Sequence, residues 1–236
     1  MKTLVTLFAI LMVGVIPVIA QEGTCFEKGG TWNADDSSCF VSYSVRVEID
    51  YPITLAENAI DEQTVDAFIS ETRGQFLAFI TAPEMFEFPT TGTFFLSIGN
   101  DEYRYSEDIV GLVFGIADYT GGAHPNSYYR TFAFDLAQER VLTLDDLFTD
   151  TPSALGVIWP LVQQDLTAQV GEMSDAAWIE GGAGLVPENY QNFAITPDEL
   201  IFFFPPYQVA AYAAGPHEVH IPLSQISAVL AALFTS

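Results

Sequence analysis

The spacing of apolar residues changes several times along the chain, and each change predicts an element. From Phe40 to Ile53 every second position is apolar, which predicts a half-buried strand with one inward face: Val41, Tyr43, Val45, Val47 and Ile49. From Ile60 to Ile80 the spacing becomes that of a helix, with an apolar stripe: Val65, Phe68, Ile69, Phe76 and Phe79. The acidic pair at 61–62 suits the start of this helix, and Pro83 ends it.

Paired strands are predicted in the middle of the chain. Thr93–Tyr105 has the pattern of a hairpin that turns at Gly99–Glu102. Ile109–Tyr119 and Tyr128–Leu136 are predicted to pair across a turn that contains the glycine pair at 121–122. This turn is of interest because it also carries a histidine.

The C-terminal half mixes helices with short strands. Asp145–Phe148 predicts a helical turn, and Leu155–Val170 predicts an amphipathic helix whose inward residues are Leu155, Ile158, Trp159, Val162 and Leu166. Phe193–Thr196 and Leu200–Phe204 predict a second hairpin. The stretch between the helix and this hairpin, 171–188, is rich in Gly, Ala and Glu and receives no assignment.

Glu218–Ile221 predicts a last strand and Leu223–Phe234 a closing helix. Because strands and helices mix without strict βαβ alternation, the predicted fold is α+β, a largely antiparallel sheet with packed helices. We divide the chain near residue 107 into two subdomains that share a core, at 40–106 and 107–236. The sequence contains no internal repeat and no flexible linker.

The N-terminus has the features of a secretory signal peptide. Lys2 is followed by an uncharged apolar run from Leu4 to Ile16. The residues at 18–20 are small or otherwise acceptable at a cleavage site before Gln21. We expect residues 1–20 to be removed and the protein to be periplasmic or secreted, with no stable membrane span after cleavage. The alternative is an uncleaved anchor, although this run is shorter than the roughly 20 residues that a membrane span needs.

Removal of Lys2 leaves six basic and 31 acidic residues, so the mature chain carries a formal charge of −25. Such a surface repels nucleic acid and anionic lipid and attracts cationic partners at low salt. The alternative explanation for this negative charge is an acid-biased proteome, in which every secreted protein is acidic.

Cys25 and Cys39 are the two cysteines of the chain. In an exported protein an even count favours a disulfide, here one that closes a loop at 21–39. Two thiols without a neighbouring histidine are poor evidence for zinc, and we expect neither a metal nor a cofactor.

Each candidate catalytic or binding residue also has an explanation in which its role is purely structural. His124 follows the glycine pair and either lines a binding surface or bonds the turn; the second interpretation is favoured. On a strand, His217 faces away from Glu218 and His220, so the His-Glu-Val-His run does not form the helical metal motif. The carboxylates of Asp145 and Asp146 are better explained as helix capping than as an acid–base pair.

Two loops carry the binding candidates, Tyr119–Tyr129 and Tyr207–His217, because they join strands and contain aromatic residues. The candidates are Tyr119, His124, Tyr128, Tyr207, Tyr212, His217 and Glu218. The competing hypothesis is an enzyme with Asp118, His124 or Glu218 in its site. The sequence contains no Gly-x-Ser-x-Gly elbow, phosphate loop or dinucleotide fingerprint, so binding is favoured.

Several motifs occur in an order that resembles one known family. They are Thr120-Gly-Gly-Ala-His124, Thr131-Phe-x-Phe-Asp-Leu136, Leu142-Thr-Leu-Asp-Asp-Leu-Phe148, Phe202-x-Phe-x-Pro-Tyr-x-Val-Ala210, Ala214-Gly-Pro216 and Ile221-Pro222. They are similar to the RsiV-like domain family, which includes the extracytoplasmic part of the anti-sigma-V factor and the accessory region of peptidoglycan deacetylase C. The resemblance covers roughly residues 110–234, and 40–106 is more weakly similar to the PdaC-like domain that precedes it.

The resemblance implies an α+β fold outside the cytoplasm and a role in the cell envelope. In the anti-sigma-V members this domain binds lysozyme. The chain has no counterpart of their sigma-binding segment or of the deacetylase domain, so signalling and deacetylation are not expected. We therefore expect a binding protein for lysozyme, a related cationic envelope protein or a peptidoglycan-like glycan, with an enzyme acting on envelope polysaccharide or peptidoglycan as the alternative.

Overall fold

A computed structural model describes residues 31–35, 37–40, 44–52, 59–82, 93–171 and 175–235, together with Gly23 and Cys25. The predicted signal segment at 1–20 and the helix stop at Pro83 lie outside these residues. Strands β1 (Thr31–Asn33) and β2 (Ser38–Phe40) form a small antiparallel ladder. The predicted disulfide is present beside it, with Cα atoms of Cys25 and Cys39 5.6 Å apart.

Among the described residues, the largest sheet has five strands in chain order. They are β3 (Ser44–Ile49), β4 (Thr93–Arg104), β5 (Ile109–Tyr119), β6 (Asn126–Asp135) and β7 (Arg140–Leu142). Strand β3 is parallel to β4, and the other pairs are antiparallel. This arrangement confirms the α+β class.

Helix α1 (Ala59–Ile80) connects the parallel strands β3 and β4 and packs on the sheet. Its buried residues are Val65, Ile69, Phe76 and Ile80, and Phe68 packs partly buried beside them. The prediction that Phe79 is inward was wrong, since it is 51% exposed. Phe79 precedes the buried Ile80 by one residue, a rotation of about 100° on a helix of 3.6 residues per turn.

The predicted hairpin at Thr93–Tyr105 was wrong. The segment is one strand, β4, which pairs with β5 over ten positions from Phe95 to Arg104. Gly99 and Asn100 favour a turn locally, but here they lie opposite Gly115 and Phe114 in that ladder. The chain turns later, where the Ser106 hydroxyl accepts the backbone N–H groups of Asp108 and Ile109.

The C-terminal half packs helices around a second sheet. Its helices are α2 (Leu144–Leu147), α3 (Thr151–Val170), α4 (Ala176–Ala183) and α5 (Leu223–Ile226). Its strands β8 (Phe193–Ile195), β9 (Glu199–Phe204) and β10 (His217–Pro222) form an antiparallel sheet in the order β10-β9-β8. Helix α3 begins four residues before its predicted start because the Asp150 side chain accepts the Ser153 N–H and Pro152 suits the first turn.

The two sheets pack face to face. Ala194, Ile201 and Phe203 of the smaller sheet cluster with Val113 of the larger one, and Tyr103 and Tyr129 pack partly buried against them. The predicted closing helix at Leu223–Phe234 was wrong, since α5 ends at Ile226. The chain then bends so that Leu230 bridges to Phe148 and Phe234 enters the core. Among the described residues, no helix is both long and apolar enough to cross a membrane.

Candidate functional site

The glycine turn between β5 and β6 presents His124 at the surface. Gly121 and Gly122 have φ angles of 101° and 114°, a region that favours glycine. The Tyr119 hydroxyl donates to the carbonyl of Gly122 at 2.9 Å and so fastens the turn.

The hydrogen bonds of His124 define its tautomer. Its Nδ1 lies 2.9 Å from the carbonyl oxygen of Pro125, and its Nε2 lies 3.2 Å from the Tyr207 hydroxyl. A carbonyl oxygen can only accept, so Nδ1 carries the proton. In the neutral ring Nε2 then accepts from Tyr207. The histidine thus bonds its turn, as the structural interpretation predicted, and also meets the second candidate loop.

Tyr212 completes a group that we call the aromatic cluster: His124, Tyr207 and Tyr212. The rings of His124 and Tyr212 are stacked with centroids 3.7 Å apart, and the Tyr212 hydroxyl donates to the Pro125 carbonyl at 2.9 Å. The ring of Tyr207 lies 5.5 Å from that of Tyr212 and is 55% exposed. Loops that are more than 80 residues apart in sequence therefore meet.

Tyr207 has a backbone conformation that is unfavourable for its side chain. Its φ is 71°, in the left-handed region that a residue with a Cβ occupies at a cost. The indole Nε1 of Trp178 donates to the Tyr207 carbonyl at 3.0 Å. The next side chain, Gln208, donates from Nε2 to the carbonyls of Gly182 and Asn189 at 2.8 and 2.9 Å. The hydrogen bonds at Tyr207 and at the next residue, Gln208, hold the strained backbone in place.

Helix α4 approaches this loop very closely. A Cβ atom on Gly182 would lie 1.8 Å from the Gln208 carbonyl oxygen, so the position accepts glycine alone without a shift of backbone. The close approach brings Trp178, which is on the same helix, to the carbonyl of Tyr207.

The other predicted site residues lie elsewhere. Tyr128 lines a groove between α1 and β6, and burial raises the pKa of its hydroxyl, with Asp118 adding to the effect. His217 is 6% exposed, and its Nδ1 lies 3.2 Å from Oε1 of Gln169. Burial lowers the pKa of His217, whose Nε2 has no hydrogen-bond partner among the described residues.

Glu218 and His220 share one face of β10, as the strand prediction required. His220 Nδ1 lies 3.0 Å from a carboxylate oxygen of Glu199, and its Nε2 lies 3.7 Å from Glu218. Glu218 is paired with Phe203, whose ring contacts the inter-sheet tyrosines Tyr103 and Tyr129. Burial raises the pKa of Tyr103, and the Glu218 charge adds to this. None of the contacts within the described ranges joins Glu218 to His124. In that same part of the chain, no three His, Cys, Asp or Glu side chains are arranged to hold a metal.

The acidic pair before α3 has structural partners. The Asp146 carboxylate accepts the backbone N–H of Thr143 at 2.7 Å and bonds Arg140 Nη1 at 2.5 Å. Burial works to raise the pKa of Asp146, but the hydrogen bonds from Thr143 and Arg140 lower it overall. Asp145 accepts the hydroxyl proton of Thr151. These contacts match the capping interpretation.

Sequence reasoning missed Trp178 and Gln208, which hold the aromatic cluster in place. Trp178 lies in the Gly- and Ala-rich stretch that received no assignment. A lone tryptophan there carries no pattern, because its indole bonds a carbonyl 29 positions away. The one available signal was Asp175, which caps α4 by accepting the N–H groups of Ala177 and Trp178.

Comparison with known proteins identifies the class of this chain. Residues 145–224 match the family described as "Protein of unknown function (DUF3298)". A DUF3298 family protein from Bacteroides fragilis has a similar structure, with a TM-score of 0.50 and 20% identity over 78% of this chain and 71% of that one. The peptidoglycan-N-acetylmuramic acid deacetylase PdaC of Bacillus subtilis is 29% identical over 56% of this chain and 29% of its own length. The resemblance is thus confirmed as a DUF3298 domain shared with PdaC.

Two relatives match almost the whole chain. Immunogenic protein MPT64 of Mycobacterium tuberculosis is 31% identical over 97% of both chains. Esterase Rv3036c of the same organism is 28% identical over 93% of this chain and 94% of the relative. The chain belongs to the MPT64 family, a full-length relationship that the motifs did not reveal.

Proposed function

We propose that this MPT64-like protein is exported and binds a cationic partner protein of the cell envelope at the aromatic cluster, with lysozyme as the first candidate. The observation that carries the proposal is the placement of Tyr207. Its exposed ring is held against His124 by a strained backbone, and strain of this kind persists where the surroundings enforce it. Strained residues concentrate at binding and catalytic sites.

The chemistry of the cluster suits a cation. An exposed tyrosine ring attracts an ammonium or guanidinium group by its electron-rich face and contributes apolar area to a contact. The formal charge of −24 for the whole chain adds long-range attraction that speeds encounter and weakens as salt rises. Charge alone gives weak, unselective binding, so selectivity has to come from the shaped contact at the cluster.

A second candidate is an enzyme that acts on envelope polymers, favoured by the relative that is named an esterase. Acyl transfer by a serine needs a histidine within hydrogen-bond reach of its hydroxyl. The three histidines of this chain bond other partners instead: Pro125 and Tyr207, Gln169, and the carboxylates beside β10. This supports binding over hydrolysis, and an assay with a p-nitrophenyl ester tests it. Turnover that survives His124→Ala but is lost in His220→Ala would move the function to β10.

The binding test is calorimetry of the protein against lysozyme and against an unrelated basic protein of similar size and charge. We expect lysozyme to bind at about 0.15 M salt, where the Debye length is about 8 Å, and the control not to bind. Tyr207→Ala should weaken lysozyme binding at least tenfold. The matched control is Tyr51→Ala, which removes a tyrosine of similar exposure, 44%, beyond the end of β3.

Two outcomes contradict the proposal. Equal affinity for the two basic proteins, lost together as salt rises, reduces the interaction to unselective attraction. Selective lysozyme binding that Tyr207→Ala and Tyr51→Ala weaken equally places the contact away from the aromatic cluster.

A further inference from the structure

In the part of the chain that the structure describes, one edge of the five-stranded sheet has no backbone partner over most of a long strand. Strand β6 pairs with β5 from Asn126 to Asp135, but on its other side β7 pairs only with 133–135. Within the described ranges no backbone group bonds the backbone of β6 between Asn126 and Phe132 on that side. The Thr131 side chain does have backbone partners, since its hydroxyl donates to the Gln191 carbonyl and accepts the Phe193 N–H. Unpaired edges of this kind are templates for an additional strand.

The register of the sheet shows which residues offer their backbone to this edge. The N–H of Leu136 donates to the carbonyl of Asp108 at 2.8 Å, in register with the pairing of β6 with β5. Backbone groups alternate along an antiparallel pair, so the even-numbered residues of β6 bond β5. Ser127, Tyr129 and Thr131 therefore direct their N–H and C=O groups to the free edge.

The edge is flanked by cavities that could receive alternate side chains of an added strand. On the α1 side lies a cavity of about 500 Å³, lined by Phe68, Glu71, Tyr128, Arg130 and Phe132 among others. A second cavity of about 330 Å³ opens where β7 ends. Its lining includes Thr131, Asp145, Glu188 and Gln191.

The two faces of the edge differ in chemistry. The α1 face offers the partly buried ring of Phe68, which suits an apolar side chain. It also carries Arg130, whose guanidinium lies 4.8 Å from the centroid of the buried Phe132 ring and would repel a basic side chain. On the opposite face Tyr129 packs on Phe203. Glu218 is paired with Phe203 and Asp101 with Val113, so both carboxylates lie on that face and make it acidic. Burial raises the pKa of Tyr129, and these two charges add to the effect.

We propose that the free edge of β6 binds an extended basic peptide segment of a partner protein by strand addition, with apolar residues toward α1 and basic residues toward Tyr129. Main-chain hydrogen bonds to Ser127, Tyr129 and Thr131 supply affinity, and the alternating side chains supply selectivity. A second copy of this chain fits less well, because each copy carries a formal charge of −24 and the copies repel each other. This edge site is independent of the aromatic cluster, and its test uses no lysozyme.

The probe is a fluorescent ten-residue peptide of alternating Lys and Val, titrated with the full chain by anisotropy. Two further peptides carry N-methyl groups, one on its lysines and one on its valines, and so have the same charge. In an antiparallel addition the residues that bond the edge are those on the Tyr129 face, the lysines. We expect lysine methylation to weaken binding at least tenfold and valine methylation to leave it within twofold.

The protein side of the test uses one position. Ser127→Pro removes the backbone N–H that points to the free edge, and proline is tolerated at such a position because no strand is paired there. Ser127→Ala keeps this N–H and is the control. We expect the alternating peptide to bind the alanine variant like the parent and the proline variant at least tenfold more weakly. If Ser127→Pro fails to fold, the methylated peptides still decide.

The results separate the alternatives. If valine methylation alone abolishes binding, a strand is added in parallel and the proposal stands. No binding of the parent peptide, or the same response to both methylation patterns, overturns strand addition. A dimer in light scattering that Ser127→Pro dissociates assigns the edge to a second copy and overturns the basic-peptide proposal.

Discussion

The indole Nε1 of Trp178 donates a hydrogen bond to the backbone carbonyl of Tyr207 at 3.0 Å, although the two residues lie on different elements. The acceptor belongs to a residue with φ of 71°, one of three non-glycine residues with positive φ in the described part of the chain. Helix α4 therefore supplies the hydrogen bond that restrains Tyr207, whose strained backbone lies in the loop after β9. This restraint lets Tyr207 present an exposed ring at a fixed position beside His124.

The strain at Tyr207 predicts an inverted response to glycine. We expect Tyr207→Gly to be more stable than Tyr207→Ala by about 1 kcal/mol, because glycine adopts positive φ without the Cβ penalty. At Tyr212, which lies in a 3₁₀ turn, the order should be reversed. Urea unfolding of the four variants measures both differences. A glycine variant at 207 that is less stable than its alanine counterpart contradicts the strain.

A substitution in the glycine turn should reduce the free energy of unfolding more than a substitution of the histidine that the turn presents. Gly121→Val forces a branched side chain into φ of 101° and should cost about 1–3 kcal/mol. His124→Ala should cost less. Gly115→Val is the matched control, since Gly115 is an exposed strand residue with open space at its Cβ position. Thermal unfolding that ranks Gly115→Val as the more damaging valine substitution would contradict this account of the turn.

Much of the fold could be predicted because local pattern and tertiary contact agree. Strand β5 begins and ends where its apolar run does, at Ile109 and Tyr119, and the glycine turn returns the chain to β6. Strand β4 could not be predicted, because Gly99 and Asn100 favour a turn in isolation. The ladder with β5 and the bond from the Asn100 side chain to the Asp50 carbonyl outweigh that preference. Long-range pairing leaves no trace in a local window.

The candidate site was predictable to the same degree. Turn residues and aromatics identified both loops, and the structure brings His124, Tyr207 and Tyr212 together. The sequence could not show that His217 is buried against Gln169, since a strand at the surface and a strand under a helix have the same alternation. The free edge of β6 was equally hidden, because it depends on how short β7 is.

The predicted export and the disulfide together determine the covalent structure of the mature protein. We expect the mature protein to begin near Gln21 and to be two hydrogens lighter than its reduced form, with Cys25 bonded to Cys39. Intact mass with and without reductant measures both. A loop closed over a separation of 14 residues should contribute on the order of 3 kcal/mol to the free energy of unfolding.

The control for this contribution is the double variant Cys25→Ser, Cys39→Ser, which removes the bond without reductant. Reductant should destabilise the parent and leave the double variant unchanged. A full-length product with two free thiols would show that the chain is neither processed nor oxidised as proposed.

His217 predicts a loss of stability below neutral pH. Burial lowers its pKa in the fold, whereas the unfolded chain has the ordinary value of about 6.5. Above that value both states are neutral at this residue. As pH falls through about 6.5, the unfolded state takes up a proton that the folded state resists, so the free energy of unfolding decreases, by at most about 1.4 kcal/mol per pH unit. The decrease stops once pH falls below the folded pKa.

Urea unfolding from pH 7 to 5 tests this against His217→Gln, whose side chain does not titrate. The window lies above the ordinary pKa values of carboxyl groups, near 4, so the difference between the two curves isolates the histidine. The parent should lose more stability than the variant across the window. Since Nε2 has no hydrogen-bond partner among the described residues, protonation would place a charge where nothing compensates it. Parallel curves would mean that His217 accepts a proton in the fold as readily as in the unfolded chain, and that the burial between α3 and β10 does not exclude charge.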